Sequence, residues 1–310
     1  MSGFTGEPVC VAHVADRCGE GAVWHDAEKT LFWTDINRFL IHSWHAATHA
    51  ITTWSFDEPV TALNLTTDDG LLIVCFASRI ALWDFHAGVV EDARFAGFQL
   101  PGAPQVRCND ARVDAAGRLW VATMQNNVGR DGEPLPVTEE LGELFSLEST
   151  GSGASGLAVW HRRGLGIGNT VAWSLDGRFL YTADTLADAI SRFAVNADGT
   201  LSDERLWFQC EVPGRLGLPD GSAMDEEGFL WNCRHGGGCV LRLSPDGVID
   251  SVVKMPVKNP TTCVFGGVDG RTLFVTSAAI GDEENALAGG LFAIETKMRG
   301  LPANRFLLRG

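Results

Sequence analysis

The chain has 310 residues, 45% of them hydrophobic, and 24 Lys and Arg against 39 Asp and Glu give a formal net charge of -15. That length and composition suffice for a large core, and the acidity argues against nucleic acid or an anionic membrane surface as partner, leaving cations and neutral small molecules. No apolar run reaches the ~18 residues a bilayer span needs, and Met1–Cys10 lacks a basic stretch followed by an apolar one, so a cytoplasmic protein without membrane contact is expected.

Along the chain, acidic turns at Asp26, Asp68 and Asp69, Asp114, Asp176, Asp225 and Asp269 each precede a strand-like apolar run. They recur roughly every 40 to 60 residues, the span of one four-stranded blade with variable loops, and such a period marks a repeat architecture. A typical unit, Trp173-Ser174-Leu175-Asp176-Gly177-Arg178-Phe179-Leu180-Tyr181, reads as a strand end, a tight Asp-Gly turn and a second strand. Six units predict an all-β fold over residues 1–310, a single six-bladed β-propeller domain with four-stranded antiparallel blades around a central channel.

The first blade covers about Gly19–Thr53, with strands near Gly21–Trp24, Thr30–Asp35, Phe39–His45 and Ala50–Ser55. The second covers Pro59–Leu100 and the third Val106–Leu165, lengthened by a polar insertion, Gln125–Gly142, and a Gly/Ser-rich turn, Ser149–Gly156. Blades four, five and six begin near Gly168, Asp220 and Thr261. The last holds only about three obvious strands, so Pro8–Val14 is expected to return and complete it, joining first blade to last. Helical periodicity is nearly absent, with Glu139–Ser146 the one ambiguous stretch. The eight cysteines show no Cys-x-x-Cys spacing and read as reduced, structural residues.

The residue entering each innermost strand, a few positions before the acidic turn, is Glu20 in blade one, Asn109 in three, Asn169 in four, Asp220 in five and Thr262 in six; in blade two it falls at apolar Ala62 or Leu63. Such positions line one mouth of a propeller's channel, so two carboxylates and two amides would meet there. Burying Glu20 beside Asp220 without a cation is costly, whereas a divalent ion removes the repulsion; these oxygen donors suit Ca²⁺, Mg²⁺ or Mn²⁺. The same side chains also serve as strand-end caps or water ligands in other proteins, and spacing alone leaves both readings open.

Gly19-Glu20-Gly21-Ala22-Val23-Trp24 with Leu31-Phe32-Trp33-Thr34-Asp35-Ile36, and Arg107-Cys108-Asn109-Asp110 with Val113-Asp114-Ala115-Ala116-Gly117-Arg118-Leu119-Trp120, resemble the senescence marker protein, gluconolactonase and luciferin-regenerating enzyme family. Ile167-Gly168-Asn169-Thr170-Val171-Ala172-Trp173, Pro219-Asp220-Gly221 with Gly228-Phe229-Leu230-Trp231, and Pro260-Thr261-Thr262-Cys263-Val264-Phe265-Gly266-Gly267 continue the resemblance in register over about residues 8 to 295. The resemblance implies one divalent cation held by Glu20, Asn169 and Asp220, with Asn109 beside it and Arg107 reaching the substrate; across the family that ion is calcium, zinc, magnesium, manganese or iron. Family members include sugar-acid lactonases and regucalcin, a calcium-binding protein.

The sequence departs from the family at three points, one of them the usual Ser-Pro-Asp-Gly turn, which is Ser174-Leu175-Asp176-Gly177 here. The usual Asn-Gly after the blade-four ligand is Asn169-Thr170, and where some members place an acidic substrate contact the chain reads Gln125-Asn126-Asn127. Gln125 and Asn126 either bind sugar hydroxyls or are solvated loop residues.

The expected chemistry is metal-assisted opening of an aldonolactone to an aldonate, with Asp220 as the base that activates water and Arg107 and Asn109 orienting the ring. The rival readings are a regucalcin-like calcium-binding regulatory protein without turnover and an interaction propeller without a metal. Monomer and dimer are both compatible with the sequence. His42, His45 and His49 are expected to be solvated, since strand alternation splits His42 from His45, and His161 to make an ordinary polar contact. The absence of a Gly-x-Ser-x-Gly elbow argues against a serine hydrolase.

Overall fold

The computed structural model describes residues 4–91, 95, 98–149, 158–212 and 214–308. Among the described residues, twenty-four strands form six four-stranded antiparallel sheets. The first strand, β1 (Val9–Ala12), pairs with the last, and the chain then builds the blades in order. Blade one is β2–β5 (Gly19–His25, Thr30–Asp35, Leu40–His45, Ile51–Ser55), and blade two is β6–β9 (Val60–Leu65, Leu71–Phe76, Ile80–Asp84, Val89–Glu91). Blade three is β10–β13 (Val106–Val113, Leu119–Gln125, Gly142–Leu147, Ala158–Leu165), and blade four is β14–β17 (Gly168–Trp173, Phe179–Asp184, Ala189–Val195, Leu201–Gln209). Blade five is β18–β21 (Leu218–Met224, Leu230–His235, Cys239–Leu243, Ile249–Lys254), and β22–β24 (Pro260–Gly266, Thr272–Ser277, Leu291–Glu295) take β1 to complete blade six. Val9 lies opposite Ala293 and Cys10 opposite Phe292, so the expected return of Pro8–Val14 closes the ring.

Innermost strands β2, β6, β10, β14, β18 and β22 contact one another in sequence, and β22 meets β2 again, which makes a six-bladed β-propeller. The ambiguous Glu139–Ser146 stretch enters strand β12. Of the Gly/Ser-rich turn, all but Ser149 lies outside the described residues.

The apolar side chains divide into six clusters, each filling one seam between neighbouring blades. Aromatic pairs cross these seams: Trp24 stacks on Phe274 with centroids 5.6 Å apart, Trp120 meets Trp173 edge-on at 6.0 Å, and Trp231 meets Phe265 at 5.8 Å. The recurring tryptophans thus pack blade against blade.

The acidic turns have a structural cause. Asp114 Oδ1 accepts from the Ala116 and Arg118 amides while Oδ2 accepts from Trp120 Nε1 at 2.8 Å. Asp225 repeats the arrangement with the Glu227 and Phe229 amides and Trp231 Nε1 at 2.9 Å, and adds Arg242 Nε at 2.9 Å. One carboxylate thereby fixes the turn and the buried tryptophan of the next strand. Asp176 holds only its own exposed turn, through Ser174 and Arg178. The turn closes through Gly177 N to Ser174 O and Ser174 N to Phe179 O, wider than a two-residue hairpin.

His42 departs from expectation. It is buried on Trp33, its Nδ1 lies 2.8 Å from Thr53 Oγ1 and its Nε2 3.1 Å from Asp16 Oδ1. The alternation argument separated it from His45 correctly but had no means of placing Asp16, from before the blade, over its ring. His161 stacks on Trp120 and bonds Ser146 Oγ at 2.9 Å.

Asp225 is fully buried against Arg242, so Asp225→Ala leaves a buried guanidinium short of one partner and is expected to cost about 3 kcal/mol. Asp176→Ala, on the surface, is expected to cost far less. Chemical denaturation of both variants checks the contrast, and equal losses would contradict it.

Candidate functional site

Each innermost strand is irregular at one place. The ladder between first and second strands shifts register at Glu20/Val23, Val60/Ala62, Cys108/Ala111, Asn169/Val171, Pro219/Ser222 and Pro260/Cys263. A bulge of this kind bends the strand and re-aims its side chains, so residues that simple alternation would send to opposite faces turn toward the axis together. In blade two the bend holds Thr61, whose hydroxyl donates to Cys75 O, rather than Ala62 or Leu63.

Two of the bends depend on glycine. Gly21, after Glu20, has φ +59°, and a Cβ there would stand 2.9 Å from both Ala62 Cα and Thr61 O. A Cβ on Gly221, after Asp220, would meet Thr262 Oγ1 at 2.0 Å. The blades approach so closely here that no side chain fits.

The carbonyl that precedes each of three expected ligands is held by a side chain of the preceding blade. Thr261 Oγ1 donates to Gly19 O at 2.5 Å, Asn109 Nδ2 to Gly168 O at 2.9 Å, and Thr185 Oγ1 to Pro219 O at 2.7 Å. Glu20, Asn169 and Asp220 follow these three anchored carbonyls. Asn169 is fixed further: its Nδ2 donates to Thr185 Oγ1 at 2.8 Å and its Oδ1 accepts from Asn109 Nδ2 at 2.9 Å, leaving a lone pair on Oδ1.

Asp220 is buried and Glu20 half-buried, and the Glu20 charge acts on Asp220. Burial first, then the Asp110 charge, lifts the Glu20 carboxyl from the usual value near 4.5 to about 8. Burial first, then Glu20 and Asp110, lifts Asp220 well above the carboxylate range. Asp110 is the residue the sequence reading passed over. It is buried, its Oδ1 accepts from Arg112 Nη1 at 3.2 Å, and its Oδ2 has no hydrogen-bond partner. Ordinary strand alternation would turn Asp110 away from the side Asn109 faces, and the bulge cancels that rule.

Arg107 is buried and its donors are mostly engaged: Nε and Nη2 donate to Asn127 Oδ1 at 2.9 and 2.8 Å, and Nη1 to Cys108 O and Asn109 Oδ1 at 2.8 and 2.7 Å. Gln125 Oε1 accepts from the Thr138 and Glu139 amides at 2.6 and 2.8 Å. Asn126 bonds the Val128 amide and Pro104 O. Gln125 and Asn126 therefore brace the insertion that follows them, and Asn127, the third amide of that run, orients Arg107.

A divalent ion fits this set by its chemistry: a buried and a half-buried carboxylate with excess negative charge and an amide oxygen held in a fixed orientation are hard donors short of a cation. Among the described residues no three His, Cys, Asp or Glu side chains gather as a cluster, in keeping with a set whose third member is an amide. A cavity of about 580 Å³, lined by Arg112, Trp173, Met224 and Phe265 and bordered by Leu301–Asn304, opens at the opposite mouth and contains none of the three.

The sequence matches the SMP-30/Gluconolactonase/LRE-like region over residues 18–279. A 6-deoxy-6-sulfogluconolactonase of Pseudomonas putida is 31% identical over 296 residues, 94% of this chain and 95% of the relative. An L-arabinolactonase of Azospirillum brasilense is 29% identical over 306 residues, 97% and 96% of the two chains. Among solved structures, regucalcin of Agrobacterium tumefaciens, described as a calcium-binding protein, has a TM-score of 0.83 at 25% identity, with 98% of each chain covered.

Raised carboxyl pKa values tie stability to pH. Folded Glu20 binds a proton more tightly than unfolded Glu20, so its contribution is present below about 4.5 and is lost as pH rises toward about 8. Metal-free protein is expected to melt several degrees lower at pH 8 than at pH 5, and a saturating divalent ion to narrow that gap. Scanning calorimetry with and without chelator reads both; a metal-free melting temperature that rises across this range would contradict the site's electrostatics.

Proposed function

The chain belongs to the SMP-30/gluconolactonase/LRE-like family, and from that premise we propose that it hydrolyses a sugar-acid lactone to the open-chain acid, using one divalent cation held by Glu20, Asn169 and Asp220. What supports this reading is a pair of carboxyls with raised proton affinity, the Glu20 charge acting on Asp220, together with an amide, Asn169, locked in orientation. The lactonase names of the relatives support the substrate class. Oxygen donors favour Ca²⁺, Mg²⁺ or Mn²⁺, and the calcium-binding description of the regucalcin structure supports the first.

When bound, the cation supplies Lewis-acid polarisation of the lactone carbonyl and a counter-charge for the oxyanion. The chain's own residues supply the rest. Asp220, whose burial raises its affinity for a proton, takes one from the attacking water as the new C–O bond forms. The ring C–O bond then breaks and Asp220 returns the proton to the departing ring oxygen, so the atoms balance. Asn109, held by Arg107 on one side and Gly168 O on the other, sets the edge against which the lactone lies. Arg107 acts chiefly through Asn109, with its remaining Nη2 hydrogen available to a substrate oxygen. Gln125 and Asn126 contribute by shaping the loop beside the opening.

A regucalcin-like calcium binder without turnover would use the same ligands, and turnover separates the two readings. Wild-type protein is expected to open members of a pentono- and hexonolactone panel, to lose that activity on chelation and to regain it with a re-added divalent ion. Asp220→Ala is expected to lose on the order of a thousand-fold or more in kcat/KM with its circular dichroism intact. A pH-stat assay measures both, and near-native activity in Asp220→Ala would remove the proposal.

A further inference from the structure

The blade-four bend carries Thr170 at φ +50°, in the left-handed region, where blade one has Gly21 at φ +59°. Of the non-glycine residues with positive φ among the described residues, Thr170 alone is β-branched, and it is fully buried. Holding such a residue there costs on the order of 1–2 kcal/mol, which glycine would avoid. Something about the threonine must offset that strain, and the hydrogen bonds say what it is.

Thr170 Oγ1 donates to Asp220 O at 2.5 Å across the seam between blades four and five. The same oxygen lies 2.8 Å from Ser222 Oγ and 3.4 Å from Asn232 Nδ2, and Asn232 Nδ2 in turn donates to Asp220 O and Ser222 Oγ at 3.0 Å each. Asn232 is itself braced by Arg234 Nη1 at 3.4 Å, and Arg234 is buried against Asp188 at 2.6 Å. One residue earlier, Thr185 holds Pro219 O and Asn169 Nδ2 together. Two consecutive carbonyls of blade five are thus gripped by two threonine hydroxyls of blade four. The peptide on either side of the Asp220 side chain cannot turn without breaking this network.

We propose that Thr170 is a positioning residue: its strained backbone is kept because its hydroxyl fixes Asp220 relative to Asn169, so that both reach one cation without rearrangement. This rests on the reading of Asp220 and Asn169 as ligands. Thr170 touches neither the substrate nor the ion, and its effect is preorganisation, the holding of donors in place before the ion arrives.

The test compares Thr170→Ser, Thr170→Val and Thr170→Gly with the wild type, measuring Mn²⁺ and Ca²⁺ affinity by calorimetry, metal-free melting temperature, and kcat and KM separately. Serine keeps the hydroxyl, valine keeps the shape without it, and glycine relieves the strain without it. The expected result is cation affinity within twofold of wild type for serine and about tenfold weaker for valine and glycine, while metal-free Thr170→Gly melts at or above the wild-type temperature. Loss should appear in kcat more than in KM. Affinity within twofold of wild type in both Thr170→Val and Thr170→Gly overturns the inference, and so does an affinity that falls in serine as far as in valine. Asp220→Asn, run alongside, separates the two levels: if it binds the ion as wild type does, the ligand reading has failed and this inference with it. If it loses binding while valine and glycine at 170 do not, only the role of Thr170 has failed.

Discussion

The constraint on which the proposed chemistry depends is the placing of Glu20 and Asp220 at one axial mouth, where loss of hydration raises the proton affinity of both and the Glu20 charge raises that of Asp220 further. Two such groups, poorly hydrated and near one another, are costly whenever both are ionised. The Arg107 charge relieves them only in part, since its guanidinium is turned to Asn127, Asn109 and a backbone carbonyl and both carboxyls stay raised. Arg112 is occupied by Asp110 and Thr262. The site as built therefore favours either protons or a cation, and the two compete for the same oxygens.

Such a site needs its ligands delivered from different blades without play. The bulges turn the side chains inward, and the anchored carbonyls of Gly19, Gly168 and Pro219 fix where each turn happens. Every anchor crosses a seam, so ligand placement depends on the blades being packed in register. The apolar clusters that fill the seams, and the strand Val9–Ala12 that closes the ring, thereby contribute to the geometry of the mouth as well as to stability. Asp114 and Asp225 work at the other end of the same strands, pinning Trp120 and Trp231 so that the inner strands cannot slide.

Much of this was legible in the sequence because the signals are local. Each acidic turn lies beside the apolar run it introduces, and Pro8–Val14 could be assigned to blade six because that blade was one strand short. The entry of Glu20, Asn169 and Asp220 into their innermost strands was likewise a local pattern, while their reading as ligands came from the family resemblance. What was not legible depends on departures from period two or on partners far away in sequence. Asp110 adjoins Asn109, so alternation hid it until the bulge put both toward the channel. His42 read as solvated because Asp16 comes from outside its blade. Gln125 read either as a sugar contact or as a solvated loop residue because its partners, Thr138 and Glu139, lie at the far end of an insertion with no periodicity. Thr170 was visible as a departure from the family's Asn-Gly, but its meaning required Asp220 O to stand 2.5 Å away.

The central claim is that three oxygens from blades one, four and five share one ion. The most direct measurement is a crystal structure of protein soaked in Mn²⁺, with anomalous data collected at the manganese edge. The account predicts a single strong anomalous peak per chain within coordinating distance of Glu20, Asn169 and Asp220, about 2.0–2.4 Å from an oxygen of each. A peak elsewhere, or none in crystals of protein that still turns over lactone, would contradict it.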